Sequence, residues 1–233
     1  MLEIRKQFRI AVAKQFLVSS VILVIQIVVF FVSAGNVSEL RPWLYFGIAF
    51  VHNSVSIGVQ YKVNPQLVVQ RLKTRRKGSK LWDEVLMRVS NLSVIILIPV
   101  VAGLDIGRFQ LLSLDVCFGV IGILFVILSS FLLNWAMAVN PHFEPTVRIQ
   151  EHHKVIARGP YSIVRHPGYL SGILFAFSIP LIIGSVLTFV PVAIYWVLMI
   201  IRTWLEDKTL QRDLEGYLEY AKQTRFRLFP GIW

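Results

Sequence analysis

Two short stretches carry the residues that could do chemistry. The first runs from Gly159 to Gly172 and reads Gly-Pro-Tyr-Ser-Ile-Val-Arg-His-Pro-Gly-Tyr-Leu-Ser-Gly. Glycine and proline at this density fix a backbone path and forbid a plain helix. Arg165 and His166 sit at the edge of an apolar run that starts near Tyr169, where a cation and an imidazole are costly unless used or paired. The plainer alternative is a loop whose arginine anchors lipid head groups. The second stretch is Arg202-Thr203-Trp204-Leu205-Glu206-Asp207, at the far end of the same apolar region. Arg202 and Glu206 stand four apart on one helix face and could pair. In water such a pair is worth only about 0.2–0.5 kcal/mol, too little to explain charges at the end of an apolar span. A guanidinium at either stretch could orient a carboxylate, and His166 could serve as a base for a protonated acceptor.

Other chemistries are poorly supplied. His152, His153 and His166 form no His-x-x-x-His pattern, and Cys117 is the single cysteine, so neither a metal centre nor an internal disulfide is expected. Cys117 lies in an apolar run, as a packing residue would. There is no Gly-x-Gly-x-x-Gly after a strand and no P-loop.

The elements that must position these residues are membrane helices. The 233 residues are 55% hydrophobic and only 16% charged, against about 25% charged in a soluble domain. The net charge of +11 reads as membrane topology. No soluble domain carries a basic groove, and the Lys73–Lys77 cluster lacks interleaved aromatics for stacking bases. Apolar stretches at Phe16–Ala34, Trp43–Tyr61, Val85–Gly103 and Leu114–Val139 each approach the roughly 20 residues that cross a bilayer. Tyr169–Trp204 is too long for one crossing and, with breaks offered by Pro180, Gly184 and Pro191, predicts a helical hairpin with an uncharged tip near Gly184-Ser185.

The expectation is an all-α integral membrane protein of about six transmembrane helices. Residues 1–139 would form an N-terminal four-span region with a basic cytoplasmic loop at 62–83. Residues 140–233 would form a C-terminal region of loop, hairpin and tail. Val32-Ser33-Ala34 resembles a signal cleavage site, but the apolar run before it is long, which favours an uncleaved first span. The basic segment before that run could be a short interfacial helix of its own. Within the second span, His52, Ser56 and Gln60 recur every four residues on one face. They predict interhelical hydrogen bonds, with a pocket lining as the alternative. Gly119 and Gly122 could allow close helix approach, and the Leu228–Trp233 tail could lie at the interface through Phe229 and Trp233.

Taken with its flanks, the first stretch resembles the signature of the isoprenylcysteine carboxyl methyltransferase family of integral membrane methyltransferases. The matching pieces are His153–Tyr161, Arg165-His166-Pro167-Gly168-Tyr169, then Arg202, Glu206-Asp207 and Leu210, and finally Gly216–Tyr220. Asn64-Pro65 and Trp82-Asp83 match only the looser, prokaryote-like members. The usual pair of glutamates is Glu206-Asp207 here, one methylene short at the second position. The resemblance implies S-adenosylmethionine as the methyl donor, held by His153, Gly159, Tyr161, His166, Pro167, Tyr169, Glu206 and Asp207. It also implies a lipophilic acceptor entering from the membrane, with Arg165 and Arg202 as the catalytic cations. A carboxylate acceptor such as a prenylated cysteine stands first. Phospholipid or small-amphiphile N-methylation, an NADPH-dependent sterol-type reductase, and a non-enzymatic transporter or assembly factor remain alternatives. The reductase pattern has asparagine and glutamate after Arg-His-Pro, and both are missing from Arg165–Gly172. Membrane lipids are the expected surroundings; no nucleic acid and no obligate protein partner is expected.

Six spans place both termini in the cytoplasm and leave only Arg41 and Arg108, of 24 lysines and arginines, in outer links. Cysteine-accessibility labelling at Asn36 and Ser79 should therefore occur from opposite sides of the membrane; labelling of both from one side would contradict this topology.

Overall fold

The computed structural model describes residues 2–72, 79–147 and 154–233. His153 and the cluster Lys73–Lys77 lie outside the described residues. Among those described, the chain is helical throughout and forms no β-strand beyond one isolated bridge, Ser113 to Ser185.

Helix α1 (Leu2–Ala34) is continuous over 33 residues, about 50 Å at 1.5 Å per residue. The separate basic helix expected before Phe16 does not form. No glycine or proline interrupts the chain until Gly35, which ends the helix at φ +74°. α2 (Leu40–Val63) carries Pro42 in its first turn and stops before Asn64-Pro65, where the proline ring disfavours a helical residue ahead of it. α3 (Pro65–Arg71) follows. α4 (Leu81–Leu92) and α5 (Ile98–Leu104) are parts of one rod, joined by a π-helical turn at Ser93–Leu97. Pro99 has no N–H to donate four residues back, and the wider turn just before it absorbs that loss. A second π turn, Asp105–Phe109, extends the rod through what the sequence predicts to be a link. α6 (Val116–Val139) starts where the Asp115 carboxylate accepts from the Cys117 N–H at 2.9 Å.

α7 (Pro167–Ile183) and α8 (Phe189–Asp213) form the expected hairpin, turning at Gly184 with φ +91°. α9 (Tyr217–Gln223) closes the chain's helices.

Among the described residues, four helical segments are long and apolar enough to cross a membrane: Lys6–Ala34, Leu81–Phe109, Val116–Val139 and Phe189–Asp213. The protein is thus an integral membrane protein. Of the other two expected spans, α2 has the length but carries His52, Asn53, Ser56 and Gln60, and α7 has 17 residues.

Close packing makes the bundle stiff. A Cβ at Gly103 would lie 2.3 Å from the Phe30 carbonyl oxygen, and one at Gly107 would lie 2.0 Å from that of Ala34. α1 and the α5 rod therefore touch backbone to backbone. Gly122 of α6 makes room for α7 in another way: a Cβ there would lie 2.7 Å from the Ile182 side chain and 3.1 Å from its backbone nitrogen, whereas Gly119 has only ordinary contacts. A core of Phe30, Phe46, Ile98, Ile179, Ile182 and Val192 fills the space between these helices.

The polar face of α2 is used between helices. His52 Nδ1 meets Ser130 Oγ of α6 at 2.5 Å and its ring stacks on Phe175 of α7, while Gln15 of α1 donates to Gln60 at 3.4 Å.

Arg41 and Arg108, the two cations expected in outer links, are also spent inside the fold. Arg41 donates through all three nitrogens to the carbonyls of Ile182 (2.9 Å), Leu114 (2.6 Å) and Leu181 (2.8 Å), capping the end of α7. Arg108 donates to Ser33 O at 2.8 Å, at the end of α1. Carbonyls left over at a helix C-terminus attract such cations. Beside them the hairpin tip is not free of charge: Ser185 Oγ donates to the buried Asp105 carboxylate at 2.6 Å and accepts from Thr188 Oγ1 at 2.6 Å.

Gly103→Ala tests the packing by its sign. In an open helix the change stabilises by about 1 kcal/mol. Here it should destabilise by about 1–3 kcal/mol, as overpacking does, seen as a lower midpoint of thermal unfolding in detergent.

Candidate active site

The open end of the hairpin, opposite its tip at Gly184, gathers both chemistry-bearing stretches. Gly159 takes φ +62°, and a Cβ there would lie 3.1 Å from Trp135 Nε1, so the position suits glycine twice over. A 3-10 turn, Gly159–Ser162, follows and is closed by Ser162 Oγ donating to Gly159 O at 2.7 Å. The chain then runs beside the C-terminal segment: the Arg165 N–H donates to Phe226 O at 2.9 Å and the His166 N–H to Arg227 O at 3.0 Å. Pro167 opens α7 at a position where a missing N–H costs nothing.

Asp207 of α8 holds these segments together. Its side chain is fully buried and accepts from Arg165 Nε at 2.7 Å and Nη2 at 3.0 Å, Arg227 Nε at 2.8 Å, Tyr217 Oη at 3.0 Å and Gln211 Nε2 at 2.7 Å. His166 Nε2 lies 3.4 Å from the same carboxylate. Arg165 Nη1 meanwhile donates to the carbonyls of Ala221, Thr224 and Arg225 at 2.8–3.3 Å, at the end of α9. A buried acid is tolerated when it is paired and its lone pairs are filled, as they are here.

A second buried pair lies one turn back on α8. Arg202 Nε donates to Asp83 Oδ1 at 2.7 Å, and its Nη2 donates to Pro145 O at 2.5 Å. The other oxygen of Asp83 accepts from the Val147 N–H at 2.8 Å. The Arg202 guanidinium stands 4.9 Å from the centre of the Tyr169 ring, and the Tyr169 hydroxyl donates to Glu206.

These groups enclose a cavity of about 280 Å³. Its wall is aromatic on one side, with Phe143, Tyr161, Tyr169, Tyr217 and Tyr220, and apolar at Met87, Leu133 and Leu210. Arg165, His166, Arg202, Glu206 and Lys154 supply polar surface, and Pro167 also lines it. The Tyr161 ring is fixed by Asn140 Nδ2 donating to its hydroxyl at 2.9 Å and by Tyr220 Oη donating to its carbonyl at 2.7 Å. Burial pushes the phenols of Tyr161, Tyr217 and Tyr220 above their ordinary range, so they stay neutral through physiological pH.

Of the residues expected at the site, Tyr161, Arg165, His166, Pro167, Tyr169, Arg202 and Glu206 meet around this one cavity. Gly159 shapes the turn beneath it without lining it. Asp207, expected to touch the donor, stands behind the wall with its oxygens already filled. Adjacent helix residues point about 100° apart, so Glu206 and Asp207 cannot both face the cavity. The tail, expected at the interface, instead packs Leu228 fully buried against Ile173 and Met199, with Phe229 and Trp233 alongside.

Sequence reasoning gave no role to Asp83, Asn140, Phe143 or Arg227. Trp82-Asp83 and Gly216–Tyr220 were at least visible as motif pieces, whereas nothing local marks Arg227.

Fold and cavity together define an all-helical membrane protein with a half-open polar and aromatic site at the open end of a helical hairpin. Residues 120–212 match the isoprenylcysteine carboxyl methyltransferase (ICMT) family model, which bears out the resemblance read from the motifs. The match takes in Arg165–Tyr169 and Arg202–Asp207, and it begins inside α6. The matched family is one of methyltransferases, enzymes that use a methyl donor. The fold is similar to a solved structure of the eukaryotic intramembrane Ras methyltransferase ICMT, with a TM-score of 0.52 and 14% identity over 86% of this chain and 71% of that one. At this identity the likeness is one of fold. No curated protein matches the sequence.

Removing the Asp207 carboxylate would leave Arg165 buried without its acid. Asp207→Ala should therefore destabilise by about 3–5 kcal/mol, measured as thermal unfolding in detergent, whereas Glu219→Ala, which breaks an exposed pair with Lys222, should leave the midpoint near the wild type.

Proposed function

We propose that the protein transfers a methyl group from S-adenosylmethionine to the carboxylate of a lipophilic acceptor, an S-prenylated cysteine first among candidates, at the cytoplasmic face of the membrane. The observation that carries this reading is the placing on one cavity of Glu206 and Arg202: among the described residues the Glu206 carboxylate meets only a tyrosine hydroxyl, and Arg202 Nη1 has no partner. The family match over residues 120–212 supports the reaction class.

When bound, S-adenosylmethionine supplies a methyl group on a sulfonium, ready for in-line displacement. The residues suit such a donor. Glu206 can accept from its ammonium or its ribose hydroxyls, and the faces of Tyr161 and Tyr169 favour a cation or stack on adenine. His166 and Pro167 complete that wall. His153, outside the described residues, belongs to this set on the motif alone.

For the acceptor, Arg202 is better placed than Arg165. Three backbone carbonyls and both oxygens of Asp207 occupy Arg165, whose part is to hold the motif segment. Arg202 keeps one amino group for a carboxylate. An acceptor carboxylate titrates near 4 and is already ionised at pH 7, so it attacks without a base. His166 is not free to act as one at Nε2, which faces Asp207 and the Tyr217 hydroxyl, each at 3.4 Å. That favours the carboxylate acceptor over an amine. Met87 and Leu133 come from membrane helices and suit a greasy tail arriving from the bilayer. Met87 lies in the region 1–139, so the working site draws on both regions of the chain.

The orientation with both termini in the cytoplasm fits the basic inner loops and the outer arginines, which are consumed as helix caps.

Protein reconstituted in phosphatidylcholine vesicles with methyl-labelled donor and an S-farnesylated cysteine should yield a base-labile labelled ester. Its rate should show no ascending limb between pH 6 and 8. Glu206→Gln should weaken donor binding in calorimetry by about 1–3 kcal/mol, the loss of a charged hydrogen-bond partner. A product that survives strong base, or a rate rising tenfold per pH unit, would contradict the carboxylate reading.

A further inference from the structure

Asp83 lies outside the matched segment, 119 residues before its partner in the chain, yet it is among the most deeply buried charges in the molecule. It sits in the first turn of α4, where a helix N-terminus favours an acid. Its two oxygens do different things. Oδ1 takes Nε of Arg202 at 2.7 Å; Oδ2 takes the N–H of Val147 at 2.8 Å. Arg202 Nη2 returns to the same loop by donating to Pro145 O at 2.5 Å. Carboxylate, guanidinium and the 145–147 backbone thus form a closed ring. Both Pro145 and Val147 line the cavity.

This ring leaves Arg202 with one orientation. A guanidinium has five N–H donors in a rigid fork. Fixing Nε and Nη2 fixes the plane, and Nη1 is the edge that remains. The Tyr169 ring, 4.9 Å from the guanidinium carbon, sets a further boundary. The acid also has a chemical effect. An unneutralised buried guanidinium would grip an acceptor carboxylate tightly and hold down its nucleophilicity. With the Asp83 charge against its back, Arg202 orients the carboxylate while leaving its lone pair available for attack.

Building on the methyltransferase reading above, we propose that Asp83 is a positioning residue of the acceptor site, fixing Arg202 and the 145–147 loop so that the free edge of the guanidinium meets the acceptor carboxylate. Among the described residues no hydrogen bond joins Asp83 to Glu206, His166 or Tyr161 on the donor side; Tyr169 meets it only through Arg202.

The test compares acceptor kinetics with donor binding in the reconstituted full-length protein, using an S-farnesylated cysteine and S-adenosylmethionine. Asp83→Asn keeps the side-chain shape but removes the charge. It should raise the acceptor KM by about tenfold or more, as misplacement of an orienting group does, while donor Kd from calorimetry stays within about twofold. Asp83→Glu keeps the charge and pushes the guanidinium by one methylene, so it should give a smaller rise, about threefold, again with donor Kd held. Should Asp83→Asn not fold, Asp83→Glu decides alone. An unchanged acceptor KM in the folded variants overturns the proposal. So does a parallel loss of donor and acceptor affinity, the mark of a brace for the fold as a whole. A wild-type protein that yields no labelled product overturns the methyltransferase reading, and this proposal with it, whereas an active wild type with indifferent Asp83 variants sinks only the latter.

Discussion

The carboxylate of Asp207 is where the chain's distant parts become one site. Three segments reach it: the motif through Arg165 and His166, the α9 region through Tyr217, and the tail through Arg227. Apolar contact seats the tail, Leu228 packing against Ile173 and Met199 of the hairpin, and polar contact joins all three pieces. What holds them is a buried acid whose desolvation is offset by two guanidiniums, a phenol and an amide. Such a network is worth more than its pairwise parts because each member polarises the next. It also fails as a unit. Its neighbour, the pair of Asp83 and Arg202, repeats the device one turn earlier on α8, this time with one edge of the guanidinium left over. Between them Glu206 turns to the cavity. The end of α8 therefore alternates groups consumed by structure with groups available for chemistry.

The rest of the molecule serves to keep that end of the hairpin still. Away from the cavity, backbone-to-backbone packing at Gly103 and Gly107 locks α1 to the α5 rod, and Gly122 seats α6 closely on Leu181 and Ile182 of α7. Arg41 ties three carbonyls at the hairpin tip, and Asp105 ties Ser185. Lipid offers no hydrophobic gain for helix association, so small residues and filled hydrogen bonds have to supply the cohesion. A site that aligns two reactants within a few tenths of an ångström needs such a frame beneath it.

Much of this was legible from residue types. Apolar runs located the long helices, and Pro180, Gly184 and Pro191 announced a hairpin whose turn falls at Gly184. The density of glycine and proline from Gly159 to Gly172 marked the motif as a fixed path. What the sequence could not show were pairings across the chain. Asp83 and Arg202 are 119 residues apart, and Arg227 sits in a basic tail where one arginine looks like another. Adjacent acids at Glu206 and Asp207 read as one unit until the helix turn separates them, one to the cavity and one to the core. Arg41 and Arg108 read as outer-loop charges, yet each satisfies the end of a helix. His153 was read from its motif and lies outside the described residues.

The central claim is that the cavity between the motif segment and the end of α8 is built for S-adenosylmethionine. Thermal unfolding of the purified protein in detergent, with and without added ligand, addresses it without any assumption about the acceptor. A ligand that binds only the folded state raises the midpoint, by about 2.7 kcal/mol of stability at a hundred times its dissociation constant. S-adenosylmethionine should raise the midpoint in a concentration-dependent way while NADPH leaves it unmoved. A shift with NADPH, or none with S-adenosylmethionine at millimolar concentration, would contradict the account.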